Sequence, residues 1–137
     1  MLTTFPTLLM YSFYVPTALR VMLAVFFAWM AISHFTHKKA VGDEIDNKVR
    51  WVSHEMAVWL VGLVILFELA IALFLFVGAF TQIAAILAAL AFAKMAWLRK
   101  SMPHYAPLPS STFIVLAIVA LSVLITGAGG FAFDLPL

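Results

Sequence analysis

At 137 residues, 66% hydrophobic and only 10% charged, with a mean hydropathy of +1.12, the chain carries more apolar surface than a soluble fold of this length can hide; soluble domains usually hold about a quarter charged residues. Its net charge of +2 gives no reason to expect nucleic-acid binding. The absence of cysteine excludes a disulfide framework, thiol redox chemistry and cysteine-ligated metal or iron–sulfur sites.

Composition therefore predicts an all-α integral membrane protein in a single unit over residues 1–137. The N-terminal MLTTFPTLLMYSF has no basic residue and no small-residue cleavage site, and is read as retained. The first span contains Leu8 to His34, and its conservative helix is expected over about 17–35. A start near Leu8 would kink the helix at Pro16 and bring Arg20 close to mid-membrane. A start near Thr17 keeps Arg20 in the first turn, and the sequence leaves both open.

Residues 37–55, HKKAVGDEIDNKVRWVSHE, form the main polar stretch. Val41, Ile45, Val49 and Val52 recur at helical spacing with acidic and basic residues between them. This predicts a short amphipathic helix lying on the membrane surface, with Asp43, Glu44 and Asp46 on a solvated face and Trp51 and Trp59 at the interface. From Met56 to Ala93 there are 38 residues with Glu68 the sole charge. One straight helix of that length would be ~57 Å long against a hydrocarbon core of ~30 Å. The stretch must fold into two spans, about 56–79 and 80–98, with Gly78, Thr81 and Gln82 marking the turn. The second of these is alanine-rich, with Ala84 and Ala88, and Ala85, Ala89 and Ala93, at four-residue spacing that lets backbones approach closely in lipid. Lys94 can snorkel toward Arg99 and Lys100. A proline-rich loop with His104 leads to a fourth span at about 111–127 and a glycine-rich ending with Asp134.

Lys38, Lys39, Lys48 and Arg50 lie between the first two spans, and Arg99 and Lys100 between the last two. By the positive-inside rule loops 37–55 and 99–110 face the cytoplasm and both termini face outward, as expected for a multi-pass protein of a prokaryotic inner membrane.

Glu68 is the central chemical feature. An ionised carboxylate in mid-bilayer is costly, so it should face other helices and find a partner. The expected partner is Arg20. Such a pair can brace the first two helices, or it can line a ligand pocket with Lys94, His34 and Trp29. His34, His37, His54 and His104 lie at membrane boundaries and could converge on a metal or haem, but they form no established ligand motif, and no intrinsic cofactor is predicted. The phenylalanines are read as bundle packing and lipid contact.

The stretch FELAIALFLFVGAFTQIAAILAAL, a Glu followed by a Gly turn, a Thr and paired alanines, resembles the core of the DoxX family. The ending LSVLITGAGGFAFDLPL resembles the family's last helix, and Arg20 matches an Arg near the start of its first. AWMAISHFTHKK is bulkier than the glycine-containing stretch that often closes that helix. The resemblance implies a four-helix membrane bundle. It also implies an accessory or structural subunit of a membrane redox complex, in contact with lipid and other subunits, that binds quinone or lipid. Related proteins include the small membrane subunit of a thiosulfate:quinone oxidoreductase, so a quinone-reducing catalytic subunit is the alternative. A small-solute transporter is a third reading, disfavoured by the lack of inverted repeats.

Overall fold

The computed structural model describes residues 14–49, 52–127, 129, 132 and 133. The N-terminal segment, Arg50, Trp51 and most of the glycine-rich ending, Asp134 included, lie outside the described residues. The described chain is all-helical: α1 Tyr14–Thr36, α2 Lys38–Lys48, α3 His54–Val77, α4 Thr81–Leu98 and α5 Ser110–Thr126. Helices α1, α3 and α4 are long and apolar enough to cross a membrane, while α5 is apolar but only 17 residues long. Hydropathy thus placed each long helix within a few residues, because the bilayer leaves a span no other way to satisfy its backbone.

Each helix buries one stripe. Leu23, Phe27, Met30 and His34 line it on α1, Val61, Glu68, Ile71 and Leu75 on α3, and Phe113, Leu116, Ala120 and Val123 on α5. On α4 the buried stripe includes Ala84, Ala85, Ala88 and Ala89, whose small side chains let α4 and α5 pack closely along their length; Ala93 instead faces outward. Phe92 ties three helices together, with ring centroids 4.7 Å from Phe27 and 6.4 Å from Phe113. Helices α1 and α3 form the other close pair, whereas α3 and α4, although joined by a tight turn, touch sparsely.

The α2 helix departs from expectation. It does not stand apart from the bundle but extends the path of α1 and packs against α3. His37 interrupts the two helices for one residue, and backbone hydrogen bonds run across it from His37 N to Ser33 O and from Val41 N to His37 O, 3.0 Å each. His34 meets Glu68, Lys38 approaches Gly62 and Gly42 approaches Val58, so α1 and α2 together run antiparallel to α3. A Cβ at Gly42 would lie 3.2 Å from Val58 Cγ2, and Val41 is fully buried. The apolar stripe of these eleven residues is thus covered by α3.

The α3–α4 turn is set by Gly78, in the left-handed conformation with φ +74°, whose N–H donates to Phe74 O at 2.8 Å. This is the αL cap that glycine adopts without Cβ strain. Phe80 follows at φ +51°, its ring edge-on to Phe74.

Candidate functional site

Glu68 is 1% exposed, and its partner is His34, not Arg20. His34 Nδ1 and Glu68 Oε2 are 2.8 Å apart, and on the other side of the ring Nε2–H donates to Tyr105 C=O, also at 2.8 Å. The two rings stack at 5.1 Å with only 9° between their planes. Arg20 is equally buried but sits at the C-terminal end of α3, where a Cβ on Gly78 would clash with its Nη1. Ten residues of helix separate Gly78 from Glu68, or ~15 Å. The expected Arg20–Glu68 pair is therefore corrected. With α1 described from Tyr14, Arg20 lies in its second turn, far from the depth of Glu68.

Because α3 and α4 diverge, they leave an open cavity of about 510 Å³ between them. Leu63, Val64, Leu66, Phe67 and Ala70 line it from α3, and Ala91, Lys94 and Met95 from α4; Glu68 and Tyr105 add polar groups to this largely apolar lining. Leu63, Leu66 and Phe67 are exposed on the outer face of the helix, so the lining reaches the side where lipid would lie. Lys94 holds its ammonium 5.1 Å from the centroid of the Tyr105 ring, a cation–π contact. Two buried polar atoms here have no hydrogen-bond partner, Glu68 Oε1 and Tyr105 Oη. Unsatisfied groups of this kind are costly in an apolar setting. Burial, and then the nearby Glu68 charge, push the Tyr105 phenol up, so it stays protonated and able to donate.

Of the residues expected at the pocket, the structure thus brings together Glu68, Lys94 and, behind Glu68, His34. Trp29 is 45% exposed on α1, against Phe26, and does not line the cavity. The four histidines do not converge. His37 Nδ1–H donates to Ser33 O, His54 stands 3.4 Å from Asp43 in the open, and His104 bonds Glu44. No group of three metal-ligating side chains occurs among the described residues.

Two residues of the site escaped the sequence reading. Tyr105 lies in the 99–109 loop, which folds back so that Met102, Tyr105 and Ala106 are buried. The signal was an apolar pair, Tyr105–Ala106, enclosed by Pro103 and Pro107 where a solvated loop would be polar. The second is Glu44, expected on a solvated face. Its carboxylate accepts from the backbone N–H of His104 at 2.9 Å and of Tyr105 at 3.1 Å, and lies 2.8 Å from His104 Nδ1. Lys48 reaches Ser101 of the same loop. Glu44 and Lys48 are three and seven residues from Val41, so they lie on the same side of the helix as this buried residue, a register that charge alone obscures. Glu44 thus holds the loop whose Tyr105 carbonyl orients His34. Glu44→Ala is expected to lower stability by about 2 kcal/mol in thermal melts, because two loop N–H groups lose a charged acceptor. Glu44→Gln should recover part of it.

A family model described as DoxX matches residues 15–100, well over half of the chain. The chain belongs to the DoxX family. No curated protein and no solved structure matches it. The DoxX match takes in α1 to α4, and with them Arg20, His34, Glu44, Glu68 and Lys94. Tyr105 and α5 fall beyond it, so the loop that completes the cavity is not part of the matched DoxX segment.

Proposed function

We propose that this protein is an accessory integral membrane subunit of a redox complex that holds a quinone head group in the α3–α4 cavity. The observation that carries this reading is the pair of orphaned polar atoms, Glu68 Oε1 and Tyr105 Oη, in an otherwise apolar cavity whose lining reaches the outer face of α3. A volume of about 510 Å³ suits a substituted ring and the start of its tail. The apolar lining suits a ligand that arrives through the bilayer, and the polar atoms fix its head. The brace and the pocket use different oxygens of one carboxyl group: Oε2 ties α3 to α1, and Oε1 is left for a ligand.

In this reading the whole chain is one unit and α5 is the fourth span. Both termini lie outside a prokaryotic cytoplasmic membrane, and α2 and the 99–109 loop face the cytoplasm, where their lysines and arginines belong. Without cysteine, iron–sulfur centres would come from a partner protein, so turnover belongs to the complex and not to this chain alone.

The test is gentle detergent extraction followed by mass spectrometry of every protein and small molecule that stays bound. Quinone near one per chain, together with redox proteins at fixed ratio, is the expected result. Leu66→Trp, which fills the cavity from an exposed position, should lose the quinone while melting normally. Retention of bulk phospholipid alone, with no redox protein, would reject the proposal.

A further inference from the structure

The hydrogen-bond pattern around His34 restricts what the cavity can bind. A backbone carbonyl only accepts, so the 2.8 Å contact to Tyr105 O places a proton on His34 Nε2. The 2.8 Å contact between His34 Nδ1 and Glu68 Oε2 then needs one further proton between them, since two bare acceptors would repel at that distance. That proton resides on Nδ1, giving imidazolium and carboxylate, or on Oε2, giving imidazole and carboxylic acid. Both forms are neutral as a pair, as an apolar interior favours.

In both forms Glu68 Oε1 carries no hydrogen. It is a carboxylate oxygen in the first and the carbonyl oxygen of the acid in the second. The orphaned atom is therefore an acceptor whichever way the proton sits. A ligand that meets this atom must therefore donate to it, as the Lys94 ammonium and the Tyr105 hydroxyl in the same lining also can. A quinone carbonyl cannot do this; a phenolic hydroxyl can. Tyr105 Oη, a hydroxyl, serves either ligand, since it both donates and accepts.

Resting on the quinone-site reading above, we propose that the cavity recognises the reduced, hydroxyl-bearing form of its ligand, a hydroquinone with an apolar tail, through a hydrogen bond donated to Glu68 Oε1. His34 is a positioning residue here: held by the Tyr105 carbonyl, it keeps the Glu68 proton on the side away from the cavity. The same logic extends to other apolar molecules with a phenolic hydroxyl, and it disfavours those that offer only acceptors.

Three probes of nearly the same shape test this on purified protein in nanodiscs under argon: a decyl-substituted benzoquinone, its hydroquinone and the dimethyl ether of that hydroquinone. The hydroquinone should bind about tenfold tighter than the other two, the scale of one hydrogen bond to a buried acceptor. Equal binding of quinone and hydroquinone would overturn the inference and leave the quinone site standing. Binding of the ether as tight as the hydroquinone would also overturn it, because no hydrogen is then being donated. If none of the three binds, the quinone-site reading fails with it.

Variants separate the acceptor from the charge. Glu68→Gln should keep the preference, since the amide NH2 can donate to a neutral His34 Nδ1 and leave the amide oxygen toward the cavity. Glu68→Leu should abolish the preference but keep tail-driven binding. Loss of the preference in Glu68→Gln with the fold intact, or its survival in Glu68→Leu, would count against Oε1 as the acceptor.

Discussion

His34→Ala is expected to destabilise the protein by about 3–5 kcal/mol, the scale for removing one member of a buried polar pair. The substitution strands Glu68, which is 1% exposed and has no second partner for Oε2, and it leaves the Tyr105 carbonyl without its donor. It also removes the ring on which Tyr105 stacks. Glu68→Leu should cost less, since it takes the polar group away and does not maroon it. The double variant His34→Leu with Glu68→Leu should be milder than the sum of the single changes by about 1–3 kcal/mol, because neither survivor is left unpaired. Thermal unfolding followed by helical circular dichroism in one mild detergent would measure all four corners. Strict additivity would show that the two side chains are not an energetic unit, and would remove the reason for placing a shared proton between them.

The bundle was legible because its signal is physical and cheap to read. Helices α3 and α4 follow from apolar length interrupted by a single turn glycine, and Glu68 stood out as a charge that must be sheltered. Its partner was not legible. Pairing Arg20 with Glu68 assumed equal depth, and depth depends on register between helices, which hydropathy does not encode. From sequence, His34 reads as a boundary histidine and a candidate for the pocket, not as the partner of Glu68. What makes it the partner is the antiparallel alignment of α1 and α2 with α3, which sets residue 34 against 68.

The loop side of the site was hidden for a different reason. Glu44 and Tyr105 are 61 residues apart, and neither has meaning alone. Glu44 on a charged helix reads as solvated, and Tyr105 between prolines reads as a loop aromatic. Together they bring one end of the bundle down onto His34. A long-range contact of this sort leaves only a faint local trace: the side of α2 shared by Val41, Glu44 and Lys48.

Gly78→Val is the other change with a large expected effect, about 4 kcal/mol. At φ +74° a side chain with a Cβ costs roughly 1–2 kcal/mol for the left-handed backbone, and a β-branched one is worse. The new Cβ would also clash with Arg20 Nη1 and fall 2.7 Å from the Ala132 methyl. The guanidinium is 2% exposed and must shift within a packed region, a strain of about 1–3 kcal/mol. Gly78→Ala should cost about half as much, and shortening the arginine as well, in Gly78→Ala with Arg20→Ala, should not recover the backbone part. Because Gly78 lies ~15 Å along α3 from Glu68, the folded fraction of Gly78→Val should still prefer the hydroquinone over its dimethyl ether. Retained preference with a lowered melting temperature would make the Arg20 end a brace that is independent of the cavity. Loss of both together would mean that the turn sets the spacing of α3 and α4 at the cavity as well, and that the two ends of the bundle act as one.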